Sequence, residues 1–225
     1  MKVNVEYFTD PICAWSYVSE PTIQSLLSDH RENVDFRFRS LPILDKITGQ
    51  RKEGEKFRTP QEMQQEWTEI SLKTGVRLDP SLWQEDPPHS SWPANRAMKA
   101  ALRQGLDKGN RFIHLLRDAA LVDRKNPSDM DILKDIAYEA ALDVDQFYVD
   151  MTENAQQLEK EVADDAIEAN ERCIYNTPTL VMQNDEGDGV IITGTIDYQV
   201  ANHAIRSLLG QKVIGTPESI IAPSM

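Results

Sequence analysis

The sequence predicts an α/β protein in which a β-α-β unit and a β-β-α unit are separated by an inserted all-helical subdomain. Three patterns predict it: apolar alternation at the start of the chain and again from Val34, a long stretch with only helical periods, and a strand-turn-strand pattern followed by an amphipathic helix. The expected division places the α/β unit at residues 1–41 and 174–210, the helical insertion at 42–173 and a C-terminal tail at 211–225.

In the first segment Val3, Val5 and Tyr7 alternate with polar Asn4 and Glu6, and Asp10-Pro11 marks the turn that ends the strand. A helix is expected over 13–29, kinked at Pro21, with Trp15, Val18, Ile23, Leu26 and Leu27 available for a core. "NVDFRFRSL" alternates Val34, Phe36 and Phe38 as a second strand, and the strand-helix-strand order implies a parallel pair. Helical periods then recur near 60–74, 92–104, 111–123, 129–141 and 155–170. Ser90 or Ser91 can cap the second of these with Pro93 in its first turn, and Ser128 offers a cap for the fourth. Strands at 179–183 and 190–193 flank a turn, and a last helix is expected over 198–209.

Composition narrows the function. The 225 residues suffice to bury roughly 70% of the unfolded surface without a disulfide staple. The 24 Lys and Arg against 37 Asp and Glu give 24 − 37 = −13, which disfavours nucleic acid and anionic lipid as partners. Paired acids such as Asp164-Asp165 read as a solvated helix face. No apolar run approaches ~18 residues, and "MKVNVEYF" reads as a strand rather than a signal segment, so a soluble cytoplasmic protein is expected. The four histidines, His30, His89, His114 and His203, show no metal-ligand spacing, and no metal site is expected. "EGDG" from Glu186 reads as a hairpin turn rather than a phosphate cradle.

The chemistry concentrates in "TDPICAWSY", residues 9–17. A thiol at a helix N-terminus faces unpaired backbone N–H groups, so Cys13 is expected below the free thiol value of about 8.5 and largely ionised at neutral pH. Ser16 can donate its hydroxyl to that thiolate but cannot close a disulfide. Trp15, between the nucleophile and Ser16, can shield the thiolate, contact a substrate, or simply pack. Cys173 is the only other cysteine, and helix-end packing is favoured for it over a resolving role.

Three features together, "DPICAWSY", the helical insertion and Thr177-Pro178 before a hairpin, resemble the thioredoxin fold of the DsbA family, with its FrnE-like cytoplasmic branch the nearest likeness. Kappa-class glutathione transferases and 2-hydroxychromene-2-carboxylate isomerases are related to that family, and "WPANRAMKAAL" from Trp92 is similar to a helix in those two groups. Ser16 stands where the oxidoreductases carry a second cysteine, Ala14 where they carry proline, and Cys173 near where a glycine commonly ends a helix. The resemblance implies a cis Thr177–Pro178 bond against Cys13, leaving backbone groups of Thr177 to pair with peptide or glutathione. It implies a cytosolic thiol-disulfide oxidoreductase with Cys13 and Ser16 at the catalytic centre and Trp15, Thr177 and Pro178 binding substrate. With one thiol at the site, mixed disulfides on Cys13 would be resolved by an external thiol such as glutathione, a co-substrate rather than a bound cofactor. The expected partners are thiol or disulfide substrates, protein or glutathione. Two alternatives stand beside this expectation: a kappa-like glutathione transferase or glutathione-dependent isomerase, and a non-catalytic adaptor like the DsbA-like protease adaptors.

Overall fold

The computed structural model describes residues 2–44 and 59–211, so all of the expected tail except Gln211, and part of the expected insertion, 45–58, lie outside the described residues. The first unit runs β1 (Val3–Thr9), α1 (Ala14–Val18), α2 (Glu20–Asp29) and β2 (Val34–Ser40). Among the described residues seven helices follow: α3 (Pro60–Thr74), α4 (Leu82–Glu85), α5 (Trp92–Arg103), α6 (Leu106–Leu121), α7 (Met130–Glu139), α8 (Val144–Thr152) and α9 (Ala155–Glu171). The chain closes with β3 (Thr179–Asn184), β4 (Gly189–Thr193) and α10 (Tyr198–Leu208).

One four-stranded sheet has the order β2-β1-β3-β4. β1 and β2 are parallel, with Val3 opposite Val34 and Thr9 opposite Ser40, as the β-α-β order implies. β3 runs antiparallel to β1 and to β4. The two-residue side-chain period decides what each face buries. Val5, Tyr7, Phe36, Phe38, Leu180 and Met182 pack beneath Ile23 and Leu26 of α2 and Ile205 and Leu208 of α10. On the opposite face Phe8 and Val181 meet Ala169 of α9 and Ile174.

The helices between the strands have their own core, in which Ala94, Ala97 and Ala101 of α5 face Phe112 and Leu116 of α6 and Phe147 of α8. Small residues let these helices approach closely: a Cβ at Gly109 of α6 would stand 2.8 Å from the Leu102 Cα of α5. A third cluster seats Ile12 and Ala14, on either side of Cys13, among Met63, Trp67 and Ile70 of α3, Trp83, Ala120 and Leu121. The segment bearing the cysteine is thereby wedged between the sheet and the inserted helices.

Several local expectations are corrected. The helix expected over 13–29 is two helices that break at Ser19, whose Oγ donates to Trp15 O and accepts from Ile196 N, both at 3.0 Å. Pro21 therefore falls in the first turn of α2, where its missing N–H costs nothing, and makes no kink there. α6 begins at Leu106, earlier than expected, because Gly105 takes the left-handed φ of 108° that starts it. Asp129 rather than Ser128 caps α7, accepting from Asp131 N at 2.8 Å. Before α5, Ser90 Oγ accepts from Trp92 N, whereas Ser91 Oγ accepts from Leu44 N and ties in the chain after β2. The short helices α4 and α8 were not anticipated. Asp165 is not on a solvated face: it is 3% exposed and accepts from Ser40 N and Arg39 Nη1 of β2 and from Lys99 Nζ of α5, while its neighbour Asp164 pairs with Lys160 in solvent. No described helix is long and apolar enough to cross a membrane.

Candidate active site

The Asp10-Pro11 turn presents Cys13 to the site. Asp10 O accepts from Cys13 N at 3.1 Å and Asp10 Oδ1 from Ile12 N at 2.8 Å, so the chain reverses tightly after β1. Cys13 then has extended backbone (φ −77°, ψ 112°) and forms the N-cap of α1, its Sγ accepting from Ser16 N at 3.4 Å. Opposite lies the segment before β3. The Thr177–Pro178 bond is cis, Thr177 Oγ1 donates to Cys13 Sγ at 3.2 Å, and the protonated thiol donates to Thr177 O at 3.6 Å. Cys13 is thus brought against Thr177, 164 residues away in sequence, beside cis-Pro178.

The expected ionisation of Cys13 is corrected. The residue is only 5% exposed, and burial pushes its thiol up, with the buried Asp10 carboxyl adding to the push. Ser16 and Thr177 pull the other way and do not prevail. α1 has five residues, so its dipole is too short to reverse the balance. The hydroxyl role expected of Ser16 is also changed: the donor to Sγ with hydrogen-bond geometry is its backbone N–H, and Ser16 Oγ is buried without a hydrogen-bond partner among the described residues, though the side chain lies close enough to favour the thiolate.

Trp15 is half-buried against the α3 cluster, with Lys73 Nζ 5.7 Å from its ring centroid. Cys173 is not packed at a helix end. It is exposed, free, and holds the left-handed φ of 57° just past α9, the conformation for which glycine is the usual residue. Cys13 is likewise free. Among the described residues no group of three or more His, Cys, Asp or Glu side chains is placed to hold a metal.

The sequence pattern missed a buried polar layer beneath the site. Asp10 is fully buried, its Oδ2 accepting from Ile43 N and from Asn95 Nδ2 of α5, each at 2.9 Å; burial pushes its carboxyl up against these donors. Arg117 of α6 has a side chain 1% exposed. Its Nη2 donates to Thr9 Oγ1 at 2.6 Å and its Nη1 to Glu20 Oε2 at 3.2 Å, while its Nε has no hydrogen-bond partner among the described residues. Glu20 Oε1 meets His114 Nδ1 at 3.1 Å, His114 Nε2 is 3.5 Å from Asp118, and Tyr17 donates to Asp118 at 2.7 Å. Burial pushes Glu20 up, but Arg117 and His114 outweigh it and hold the carboxyl below its usual range. Glu20 in turn pushes His114 up, and burial with Asp118 pushes Tyr17 up. Tyr7, raised by burial, donates to Ser16 O at 3.4 Å and closes the layer under α1. A signal for this layer was in the sequence: Arg117 interrupts the apolar stripe of Ile113, Leu116, Ala120 and Leu121.

The ClpXP adapter protein SpxH of Halalkalibacterium halodurans is 28% identical over 212 residues, which is 93% of this chain and 69% of that protein. A crystal structure from Nitrosomonas europaea, described provisionally as a protein disulfide isomerase, superposes with a TM-score of 0.74 at 18% identity, over 93% of this chain and 97% of that one. The cytosolic disulfide reductase DsbM of Pseudomonas aeruginosa, solved also with GSH, superposes with a TM-score of 0.63 at 19% identity, over 84% of this chain and 88% of that one. These likenesses, with the cis-proline against an N-cap cysteine and helices inserted between β2 and β3, mark a DsbA-like form of the thioredoxin fold. A family model described as thioredoxin matches residues 7–203, from β1 to the last helix, and the chain belongs to that thioredoxin family.

Proposed function

We propose that the protein is a cytoplasmic thiol-disulfide oxidoreductase working through a single nucleophile, Cys13. The observation that carries the reading is the convergence on one sulfur of the Ser16 N–H and the Thr177 hydroxyl, beside cis-Pro178, with a serine where a second thiol would stand. Those two donors favour the thiolate once the proton has left. The thiolate attacks one sulfur of a substrate disulfide, forming the Cys13–substrate bond and releasing the other sulfur as a thiolate. An external thiolate such as glutathione then attacks the substrate sulfur of the mixed disulfide, which frees Cys13 and leaves the substrate joined to glutathione. Each step exchanges one S–S bond for another, so no further oxidant or reductant enters. The disulfide reductase named among the similar structures, one form of which contains GSH, supports this reading.

A second reading is favoured by the name of the similar adapter protein and by the burial of Cys13: a partner-binding adaptor in which thiol exchange is not the task. Incubation with oxidised glutathione separates them. The oxidoreductase gains one glutathione on Cys13, detected by peptide mass, and loses it to excess reduced glutathione. A protein that instead conjugates glutathione to an aryl halide, including as Cys13→Ser, is a transferase-like enzyme. Absence of both reactions leaves the adaptor reading.

A further inference from the structure

We propose that Arg117, supplied by the inserted helix α6, is a positioning residue that sets the acidity of Cys13 from beneath. The inference deepens the chemistry proposed for Cys13 and rests on that reading for its consequence in disulfide exchange.

Arg117 and Glu20 form an ion pair shielded from solvent, their side chains 1% and 5% exposed. Such a pair is an oriented dipole, and its orientation is fixed by its partners. The negative end faces His114, which is half-exposed, through Glu20 Oε1 at 3.1 Å. The positive end faces the active-site turn: Arg117 Nη2 rests on Thr9, the last residue of β1 and four before Cys13, at 2.6 Å. Burial pushes the Arg117 guanidinium down, but the negative groups around it, Glu20 foremost and an ionised Cys13 among them, hold it charged. Inside the protein a charge acts more strongly than in water, so a fixed cation under the turn counters part of the burial that opposes the thiolate.

Other charged and titratable groups also face Cys13 from the elements around it. Asp10 in its own turn opposes ionisation, Tyr7 on β1 is buried and interacts with both Arg117 and Cys13, and Lys73 on α3 stands over the neighbouring Trp15. Tyr17 of α1 and Asp118 of α6 are bonded to each other. Among these, Arg117 is the cation that is both fully buried and anchored to β1.

The test is the pH profile of Cys13 alkylation by iodoacetamide, followed on the Cys13 peptide by mass, in wild type, Arg117→Met, Glu20→Gln and the double variant. The midpoint of the profile reports acidity, and its high-pH plateau reports access, so loosening of the site is seen separately. Arg117→Met should raise the midpoint enough to leave about three- to tenfold less thiolate at pH 7. Glu20→Gln removes the opposing charge and should move the midpoint down, with the double variant between the two. A purely structural role moves both single variants the same way or not at all, and either result overturns the proposal. Where Arg117→Met does not fold, the downward shift in Glu20→Gln and its reversal in the double variant carry the same test. Alkylation does not depend on disulfide exchange: opposite shifts with no glutathione adduct would end the proposed function and leave the role of Arg117 standing.

Discussion

Thr177 both gives and takes a hydrogen bond at Cys13: its hydroxyl donates to the sulfur at 3.2 Å, and its carbonyl oxygen stands 3.6 Å away to receive the thiol proton. The side chain therefore serves the anion, and the backbone serves the neutral thiol. Thr177→Val keeps the shape and the carbonyl but removes the donor to the anion. Cys13 alkylation at pH 7 should slow by about two- to fivefold, with an unchanged high-pH plateau. An unchanged profile would show that the hydroxyl does not support the thiolate.

Ser16→Cys places a thiol three residues past Cys13, in the position whose backbone N–H already bonds the sulfur and whose Oγ has no hydrogen-bond partner to lose among the described residues. Oxidation should remove two hydrogens and join residues 13 and 16. The glutathione adduct of this variant should be short-lived, because the internal thiol competes at an effective concentration of about mM or more. A stable adduct with no internal bond would show that the two positions are not arranged as a redox pair.

The buried layer predicts two limbs in the pH dependence of stability. Glu20 is held below its usual range in the folded protein, so its contribution is complete above about pH 4.3 and fades as pH falls through its depressed value. His114 is raised, so its contribution is complete below about pH 6.5 and is lost as pH rises through its folded value. Urea midpoints in Glu20→Gln should show a flattened acid limb, and those in His114→Gln a flattened neutral limb. Arg117→Met strands a buried carboxylate and should cost ~3–5 kcal/mol, much of it recovered when Glu20→Gln is added.

Cys173 occupies a backbone conformation that a side chain strains, with its own side chain exposed. Cys173→Gly should raise stability by up to about 1 kcal/mol, measured by denaturant midpoint, and leave the glutathione reaction of Cys13 intact. Loss of that reaction would reveal that Cys173 serves as the resolving thiol.

The parts of the fold that depend on short-range pattern were legible before any coordinates: the alternation of Val3, Val5 and Tyr7, the hairpin after Pro178, the helical stretch between strands, and Cys13 at a helix start. What was not legible depends on distant partners. Asp165 reads as one more acid on a charged helix until Ser40 and Arg39, 125 and 126 residues earlier, are brought against it. The acidity of Cys13 was misjudged for the same reason. The N-terminal position of α1 is local, but burial outweighs it, and the residues on either side of Cys13, Ile12 and Ala14, pack with Met63, Trp67 and Ile70, which no motif near residue 13 announces. Helix breaks followed the same rule, since Ser19 separates α1 from α2 through a bond to Ile196, 177 residues away.

The inserted helices meet the sheet-bearing unit through directional bonds as well as apolar packing: Asn95 to Asp10, Arg117 to Thr9 and Glu20, Asp118 to Tyr17, Asn110 to Gln24 and Asp165 to Ser40. An interface of this kind is keyed, not greased. Excising the insertion to obtain a minimal thioredoxin core would strand the Asp10 and Glu20 carboxylates and uncover Ile12 and Ala14 on both sides of the nucleophile. In this protein the insertion is therefore not a detachable module: the site is a joint product of two sequence regions, and neither can be grafted, swapped or trimmed without rebuilding the other.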